Sequence, residues 1–293
     1  MKYRPNYIQQ EERCGFTIDE QRKKLWSVQL GLLEQLDTCC KENGIRYYAE
    51  YGTLLGAIRH NGFIPWDDDL DVSMFRPDYQ RFIEIAPKYF KESIFFQNYY
   101  TDKNNGCISM FSRLRDSRTT MIEKRFAGCK GFHQGIFIDI FPLDIAPSEN
   151  VSGLDNILKI GQELWCACAS PRTLLEQIIA KNEPLIGIDT TLDILGMPLE
   201  ERLQLFENTM NGYFDRSDKM NVFSQIYASK SRRKACYDHI LSIPFEYLSI
   251  PVPAGYDEIL RIHYGDYMKP IQANSDHDIL VIDPDRPYTD YID

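Results

Sequence analysis

Apolar residues recur at helical spacing through much of the first third of the chain. They predict a long amphipathic helix over residues 17–44, which opens with a capping box and stops at a glycine. A run rich in Tyr and Ile at 45–51 predicts a strand. Shorter helices follow at 53–60, where an Asn-Gly pair ends the pattern, and from Pro77 onward. Residues 1–16 show no period and are predicted to form an N-terminal arm.

The middle of the chain changes to short extended segments. Aromatic and β-branched residues predict four strands there, at Ile94–Tyr99, Cys107–Leu114, Thr119–Glu123 and Gly135–Phe141. After Pro147 the spacing becomes helical, and helices are predicted at Leu154–Cys168, Arg172–Lys181, Leu199–Phe214 and Arg232–Leu241. An extended segment at 243–253 and a last helix at Tyr256–Tyr264 follow. We therefore predict an α+β protein with a mixed β-sheet core and an added C-terminal helical subdomain.

Composition narrows the class of protein. A chain of 293 residues with 43% hydrophobic and 26% charged residues is typical of a globular protein. It contains no apolar run as long as a membrane span and no signal-peptide core, so we expect a cytoplasmic protein without an integral membrane segment. The formal net charge of −10 argues against a nucleic-acid partner. The eight cysteines include no Cys-x-x-Cys, which predicts reduced thiols.

The acidic stretch from Asp67 to Asp71 is flanked by apolar residues on both sides. If residues 69–74 form a strand, Asp69 and Asp71 lie on the same face of it. Two carboxylates on one face predict a divalent-cation site, and Mg²⁺ suits it because this ion prefers oxygen ligands. A solvated acidic loop, or a helix-capping role for Asp67 or Asp68, is an open alternative. An EF-hand loop fits poorly, because its glycine and its last glutamate are both missing.

A helix start precedes these acids. Thr53 follows Gly52 and precedes an apolar run, so Thr53 is predicted to be the N-cap residue of a short helix. The free N–H groups of such a helix start favour phosphate binding. We therefore predict that Gly52 and Thr53 bind a phosphate-containing substrate.

Asp139 lies in an apolar segment that looks like a buried strand. A lone carboxylate there would be costly to desolvate unless it is paired or bound to metal. We predict Asp139 to be a third metal ligand. A buried aspartate that holds an arginine is the alternative.

A basic cluster lies between these acidic segments. Residues 113–130 contain six Lys or Arg residues against two acids, in a chain that is acidic as a whole. Arg113 and Arg115 share a strand face, which suits binding of phosphate oxygens. Exposed cations on a solvated strand are the alternative.

Several segments together form a longer pattern. They are YGTLLG with Arg59 and GFIPWDDDLD at 51–71, HQGIFIDIFPLD at 133–144, Phe245-Glu246, and YGDYM at 264–268. This pattern resembles the LicD family of phosphotransferases, relatives of fukutin and its related protein in the nucleotidyltransferase superfamily. The resemblance implies a nucleotidyltransferase-like catalytic core at 17–145 and a mostly helical subdomain at 146–293 that completes the cleft. It also gives Asp139 the place of the third catalytic acid.

The resemblance further implies the reaction. A phosphorylated alcohol such as phosphocholine would pass from a CDP-activated donor to a sugar hydroxyl, with release of CMP. The acceptor would be a glycan or lipid-linked glycan precursor of teichoic acid, lipopolysaccharide or capsule, met at most peripherally at the inner face of the membrane. Asp69, Asp71 and Asp139 would hold Mg²⁺ or Mn²⁺ and act in catalysis. Arg59 would join the arginine pair in stabilising developing charge.

Two other functions remain open at this point. One is nucleotidyl transfer with release of pyrophosphate, which would use the same acids. The other is a catalytically silent binding protein with the same fold, which the intact acids disfavour.

Overall fold

The computed structural model describes residues 3–102, 110–127, 131–147, 151–180, 184–212, 220–223, 230–272 and 278–292. Its helices are α1 (Glu20–Asn43), α2 (Tyr51–His60), α3 (Arg76–Tyr89), α4 (Val151–Ala169), α5 (Pro171–Ile179), α6 (Ile188–Gly196), α7 (Leu199–Asn211) and α8 (Tyr256–Tyr264). Its first strands are β1 (Glu11–Arg13), β2 (Phe16–Ile18), β3 (Tyr48–Ala49), β4 (Asp71–Phe75), β5 (Ile94–Gln97), β6 (Ser112–Asp116) and β7 (Thr120–Glu123). The remaining strands are β8 (Ile136–Pro147), β9 (Met220–Phe223), β10 (Arg232–Arg233), β11 (Ile240–Phe245), β12 (Leu248–Pro253) and β13 (Ile279–Asp283). The predicted α+β class is confirmed.

Strand β8 is the centre of the main sheet. It pairs in parallel with β4 and antiparallel with β6 and, through its last residues, with β9. β3 extends the sheet beyond β4, and β5 extends it beyond β6. The sheet is therefore mixed, and the two acid-bearing segments of the sequence meet on adjacent strands.

Helix α1 covers one side of this sheet. Asp19 caps it by accepting a hydrogen bond from the Arg22 N–H at 2.8 Å, and Gly44 ends it in the left-handed conformation (φ 61°). Its apolar side is fully buried, with Trp26 and Leu30 at 0% exposure. The predicted helix is confirmed, and its burial on the sheet accounts for its length.

Several local elements differ from the predictions. The N-terminal arm contains a small hairpin of β1 and β2. The helix predicted over 232–241 is a short strand, a 3-10 turn and the start of β11, which pairs with β12. Helix α6 and strand β13 were not predicted. The predicted strand at 107–114 lies in part outside the described residues, and its described part begins only at Ser112.

The helical segment has a separate small core. Trp165 and Phe206 pack there beside Tyr99, which follows β5. A buried ion-pair network fastens α7 to the sheet, because Arg76 donates to Asp144 at 2.7 Å and to Glu207 at 3.3 Å. The domain boundary near residue 145 stays a prediction. Strands β9 and β13, from beyond it, pair with β8 and β7.

Two predictions from composition can be compared with the structure. None of the described helices is both long enough and apolar enough to cross a membrane. The described cysteines, Cys14, Cys39, Cys40, Cys166, Cys168 and Cys236, are free thiols, as predicted. Cys107 and Cys129 lie outside the described residues.

Candidate active site

Two of the predicted acids lie side by side on the central strands. In the parallel pair of β4 and β8, Asp71 is in register with Asp139. The Asp139 N–H donates to the Leu70 carbonyl at 2.9 Å, which fixes the strands at this level. Both side chains are buried, at 7% and 3% exposure. The predicted convergence of Asp71 and Asp139 is therefore a feature of the fold.

Asp69 lies just before β4, in a loop that also carries Asp67 and Asp68. One ligand oxygen from each of these three acids lies within 4.8 Å of the other two, a spacing compatible with one metal ion. Asp67 was treated from the sequence as a loop or capping residue, and the structure brings it into the acidic cluster. The signal for it was available: residues 67, 69 and 71 are spaced two apart, and alternate positions of an extended chain share a side.

Burial, together with repulsion between neighbouring acids, raises the pKa of Asp67 and Asp71. Burial, followed by the nearby charges of Asp69, Asp139 and Glu50, holds the pKa of Asp71 well above its usual range. Burial raises the pKa of Asp67 to about 7, against a hydrogen bond with Asp69 that lowers it. Several buried or half-buried carboxylates this close together repel one another, and a divalent cation would relieve that repulsion. The donor set is all oxygen, so these residues fit Mg²⁺ or Mn²⁺.

The start of α2 lies against the acidic loop. The helix begins at Tyr51, with Glu50 as its N-cap residue, so the prediction that Thr53 is the N-cap was wrong. Thr53 lies in the first turn, and its Oγ1 accepts a hydrogen bond from the Asp71 N–H at 2.7 Å. Tyr51 has a φ of 44°, a left-handed conformation that a bulky residue rarely adopts. The chain is therefore held in a strained turn beside the acids.

Gly52 allows the acidic loop to approach this helix. A Cβ atom at Gly52 would lie 2.7 Å from Asp67 Oδ2. A side chain at this position would therefore displace the Asp67 carboxylate. The absence of a side chain at Gly52 therefore allows the close approach of Asp67, while the role of Gly52 in substrate binding stays a prediction.

Arg113 contacts Asp139 directly. Its Nε donates to Asp139 Oδ1 at 2.6 Å, and its Nη1 donates to Glu123 Oε1 at 2.6 Å. Asp139 is thus a buried aspartate that holds an arginine, the alternative left open by the sequence, and it also lies beside Asp71. Because a carboxylate oxygen can accept from an arginine and still bind a cation, its role as a metal ligand stays a prediction.

Arg115 is buried deeper, at 1% exposure. It donates to Gln97 and to the Gly135 carbonyl, and burial followed by the charge of Arg113 lowers its pKa to about 9. The cations of the basic cluster are paired with acids: Arg118 with Asp116, Arg125 with Glu123 and Lys124 with Asp278. Lys130 lies outside the described residues. The described cluster therefore does not form an uncompensated positive surface, and the predicted phosphate binding by Arg113 and Arg115 has to come from buried side chains.

Arg59 lies at the opposite end of α2 from the acids. Eight residues separate it from Tyr51, which is about 12 Å along a helix axis. Its Nη1 donates to the Tyr267 carbonyl at 2.7 Å and its Nε to His60 Nε2 at 2.9 Å. These contacts tie α2 to the segment after α8. The structure does not bring Arg59 together with the acids, and its catalytic role stays a prediction.

Glu246 contributes to the site from a distance. It lies in the turn between β11 and β12 with a φ of 54°, and its carboxylate accepts from the Phe63 N–H at 3.1 Å and from Arg13 Nη1 at 2.6 Å. It therefore supports the segment at Phe63 that leads into the acidic loop.

Comparison with known proteins identifies the segment that contains these acids. Residues 44–151 match the family model described as the LicD/FKTN/FKRP nucleotidyltransferase domain. The resemblance seen in the sequence is therefore confirmed.

Individual relatives extend this similarity. Over 247 residues the chain is 27% identical to the lipopolysaccharide cholinephosphotransferase LicD of Haemophilus influenzae, a match that spans 82% of this chain and 88% of that protein. A shorter match, 51% identical over 35 residues, relates 12% of this chain to 7% of the human ribitol 5-phosphate transferase FKRP. An uncharacterized protein of Rickettsia typhi is 34% identical over 90 residues, which is 28% of this chain and 29% of that protein.

Proposed function

Residues 44–151 match the LicD/FKTN/FKRP nucleotidyltransferase domain, and we propose that this phosphotransferase acts on a lipopolysaccharide precursor. The group transferred is phosphocholine or a close analogue, the donor is its CDP-activated form, and CMP is the leaving group. The observation that carries the proposal is the register of Asp71 with Asp139 inside the matched domain. The similarity to a cholinephosphotransferase over most of both chains supports the choice of headgroup.

The acidic cluster would hold the metal. Asp67, Asp69, Asp71 and Asp139 are the residues suited to Mg²⁺ or Mn²⁺. When bound, such an ion neutralises phosphate oxygens and so favours attack on phosphorus. Asp67 is added to the predicted set because one of its carboxylate oxygens lies within 4.8 Å of a carboxylate oxygen of Asp69.

Helix α2 would bind the donor through its N-terminal turn. The N–H groups at the start of a helix lack partners within the helix, and the helix dipole favours a negative charge there. This turn is joined to β4 by the bond from the Asp71 N–H to Thr53 Oγ1. A phosphate bound at the turn is therefore held in a fixed relation to the acids.

Asp139 would accept the proton of the attacking sugar hydroxyl. Arg113 orients its carboxylate through the bond to Oδ1 at 2.6 Å, and the ring of Phe137 lies 3.9 Å below the guanidinium carbon. A base that is held in one orientation loses less entropy in reaching the transition state. We place this reaction in the cytoplasm, with contact at the inner membrane face where a lipid-linked acceptor would be met.

Nucleotidyl transfer is the second candidate, because the matched family model is itself a nucleotidyltransferase domain. In that reaction a hydroxyl attacks the α-phosphorus of a nucleoside triphosphate and pyrophosphate leaves. The two reactions differ in their products, so product analysis separates them.

A donor panel tests the proposal. Purified protein, Mg²⁺ and a lipopolysaccharide acceptor are incubated with CDP-choline, CDP-ethanolamine, CDP-glycerol, CDP-ribitol or CTP, and products are identified by mass spectrometry. We expect CMP and a phosphocholine-modified acceptor from CDP-choline, lost in Asp71→Asn and retained in the exposed control Asp193→Asn. Pyrophosphate from CTP with a cytidylylated acceptor would establish the second candidate instead.

A further inference from the structure

One face of helix α1 carries side-chain donors toward the acidic loop. Arg22, Trp26 and Gln29 are spaced four and three residues apart, which places them on the same side of the helix. Arg22 Nη1 and Trp26 Nε1 donate to the Asp67 carbonyl at 2.6 and 3.1 Å, and Gln29 Nε2 donates to the Asp68 carbonyl at 2.8 Å. The helix therefore binds the loop through its backbone carbonyls and leaves the carboxylate oxygens to other contacts.

Gln29 also reaches the second acid-bearing segment. Its Nε2 lies 3.4 Å from the carbonyl of Phe137, two residues before Asp139 on β8. Gln29 is fully buried at 0% exposure. A single amide group thus joins the loop of residues 67–69 to the strand that carries Asp139.

The side-chain amide of Gln29 satisfies only its donor atom. Gln29 Oε1 is buried and has no hydrogen-bond partner within the described part of the chain. Such an acceptor destabilises a folded protein, so an apolar residue would serve better if packing were the only requirement. Turning the amide over would place its oxygen against two carbonyl oxygens. The observed orientation is the one that ties both segments.

We propose that Gln29 is a positioning residue of the metal site, which sets the separation between the carboxylates of residues 67–69 and Asp139. This inference rests on the proposed function, because it takes Mg²⁺ or Mn²⁺ as the ligand. Residues that orient metal ligands without touching the metal change metal affinity by about 10- to 100-fold when they are replaced. Loss of both Gln29 donations should therefore weaken metal binding while the ligands themselves are intact.

The test compares variants of the full-length chain on α1. Gln29→Met keeps the length of the side chain and removes both donors, and Gln29→Glu keeps its shape but faces two carbonyls with an acceptor. Gln35→Met is the exposed control on the same helix, and Leu30→Ala is a buried control that removes core packing and none of the three donors to the loop. Mn²⁺ affinity is measured by calorimetry, and thermal stability by circular dichroism.

We expect Mn²⁺ binding weaker by about tenfold or more in both Gln29 variants. We expect it to change by less than about twofold in Gln35→Met and in folded Leu30→Ala, although Leu30→Ala has the larger fall in Tm. If Gln29→Met does not fold, Gln29→Asn is measured instead, because it keeps the amide donors on a shorter side chain. Mn²⁺ affinity in Gln29→Asn that is close to wild type and well above that of Gln29→Glu would support the assignment.

If Gln29→Met binds Mn²⁺ with wild-type affinity, this inference is overturned and the proposed function is not. The same holds if Leu30→Ala loses as much Mn²⁺ affinity as the Gln29 variants. Absence of Mn²⁺ binding in the wild-type protein would overturn the metal site of the proposed function, and the inference with it. Phosphocholine transfer by the wild-type protein is assayed in parallel, so that the two failures remain distinguishable.

Discussion

Arg113 holds Asp139 by two hydrogen bonds, from Nε to Oδ1 at 2.6 Å and from Nη2 to Oδ2 at 3.3 Å. The two residues are directly opposite each other on the antiparallel strands β6 and β8, and Asp71 continues the same row on β4. One cation and two acids thus form a row across three neighbouring strands of the sheet. Arg113 orients the carboxylate of Asp139. The charges of Asp69, Asp139 and Glu50 repel the carboxylate of Asp71.

Replacing Arg113 tests how far this row depends on its cation. Arg113→Ala leaves two buried carboxylates, Asp139 and Glu123, without their main partner, and breaking such a buried pair costs about 3–5 kcal/mol. We expect a fall of that size in the free energy of unfolding, measured by urea denaturation. Arg172→Ala is the control, because Arg172 pairs with Glu176 and its side chain is 91% exposed. This substitution should cost less than about 0.5 kcal/mol.

Asp71→Asn tests the acid that carries the most repulsion. The amide keeps the shape of the side chain and removes a charge whose pKa is already raised by burial and by Asp69, Asp139 and Glu50. We expect Mg²⁺ binding to disappear in calorimetry and the Tm without metal to stay level or rise. A fall in Tm together with unchanged Mg²⁺ affinity would contradict the placement of Asp71 in the metal site.

Gly52→Ala tests the close approach of helix and loop. A Cβ atom would displace the Asp67 carboxylate, from which it would lie 2.7 Å away, while alanine itself is favoured over glycine within a helix by about 1 kcal/mol. We expect little change in Tm and a clear loss of Mg²⁺ affinity. Gly196→Ala in α6, where a Cβ meets no atom within 4 Å, should leave the affinity unchanged. Equal behaviour of the two variants would remove the steric argument for Gly52.

The raised pKa of Asp67 gives a pH dependence of stability. Its pKa rises from 3.8 to about 7 on folding, so the folded protein holds a proton that the unfolded chain releases first as the pH increases. Stability from this group is present at low pH and is lost as the pH rises through that interval. Metal-free Asp67→Asn should therefore gain Tm relative to wild type between about pH 4 and 7, with no further change above.

This comparison is made in EDTA, with the difference in Tm between variant and wild type measured at each pH. Histidines with lowered pKa values, such as His60 at about 4, titrate in both proteins and cancel in the difference. Asp193→Asn, exposed on α6, should give a difference that does not depend on pH. A constant difference for Asp67→Asn as well would show that the folded-state pKa is not raised.

The elements around the acids could be predicted because local chemistry fixes them. The left-handed helix ends at Gly44 and Asn61 are each indicated by one or two adjacent residues. Partners that are distant in the chain could not be predicted. Nothing near Arg113 in the sequence states that Asp139, 26 residues later, would take up its charge.

The segment at 232–241 shows a different limit. Its spacing fits a helix, but Arg232 is drawn to Glu50 at 2.7 Å, 182 residues earlier, and the chain becomes strand and turn. Tertiary contacts can override local helical preference, and in this segment they include the ion pair with Glu50 and the pairing of β10 with β9. The position of Gln29 needed the structure for the same reason, since the carbonyls to which it donates, those of Asp68 and Phe137, lie 39 and 108 residues later in the chain.

The helices α4–α7 leave the sheet at the end of β8 and the chain returns as β9, which pairs with the last residues of that same strand. The two ends of this excursion are therefore neighbours in space, the geometry in which whole segments are exchanged between proteins with least disturbance. The row from Asp71 to Arg113 lies outside it. A different helical segment would therefore fit between β8 and β9 without moving the row of Asp71, Asp139 and Arg113.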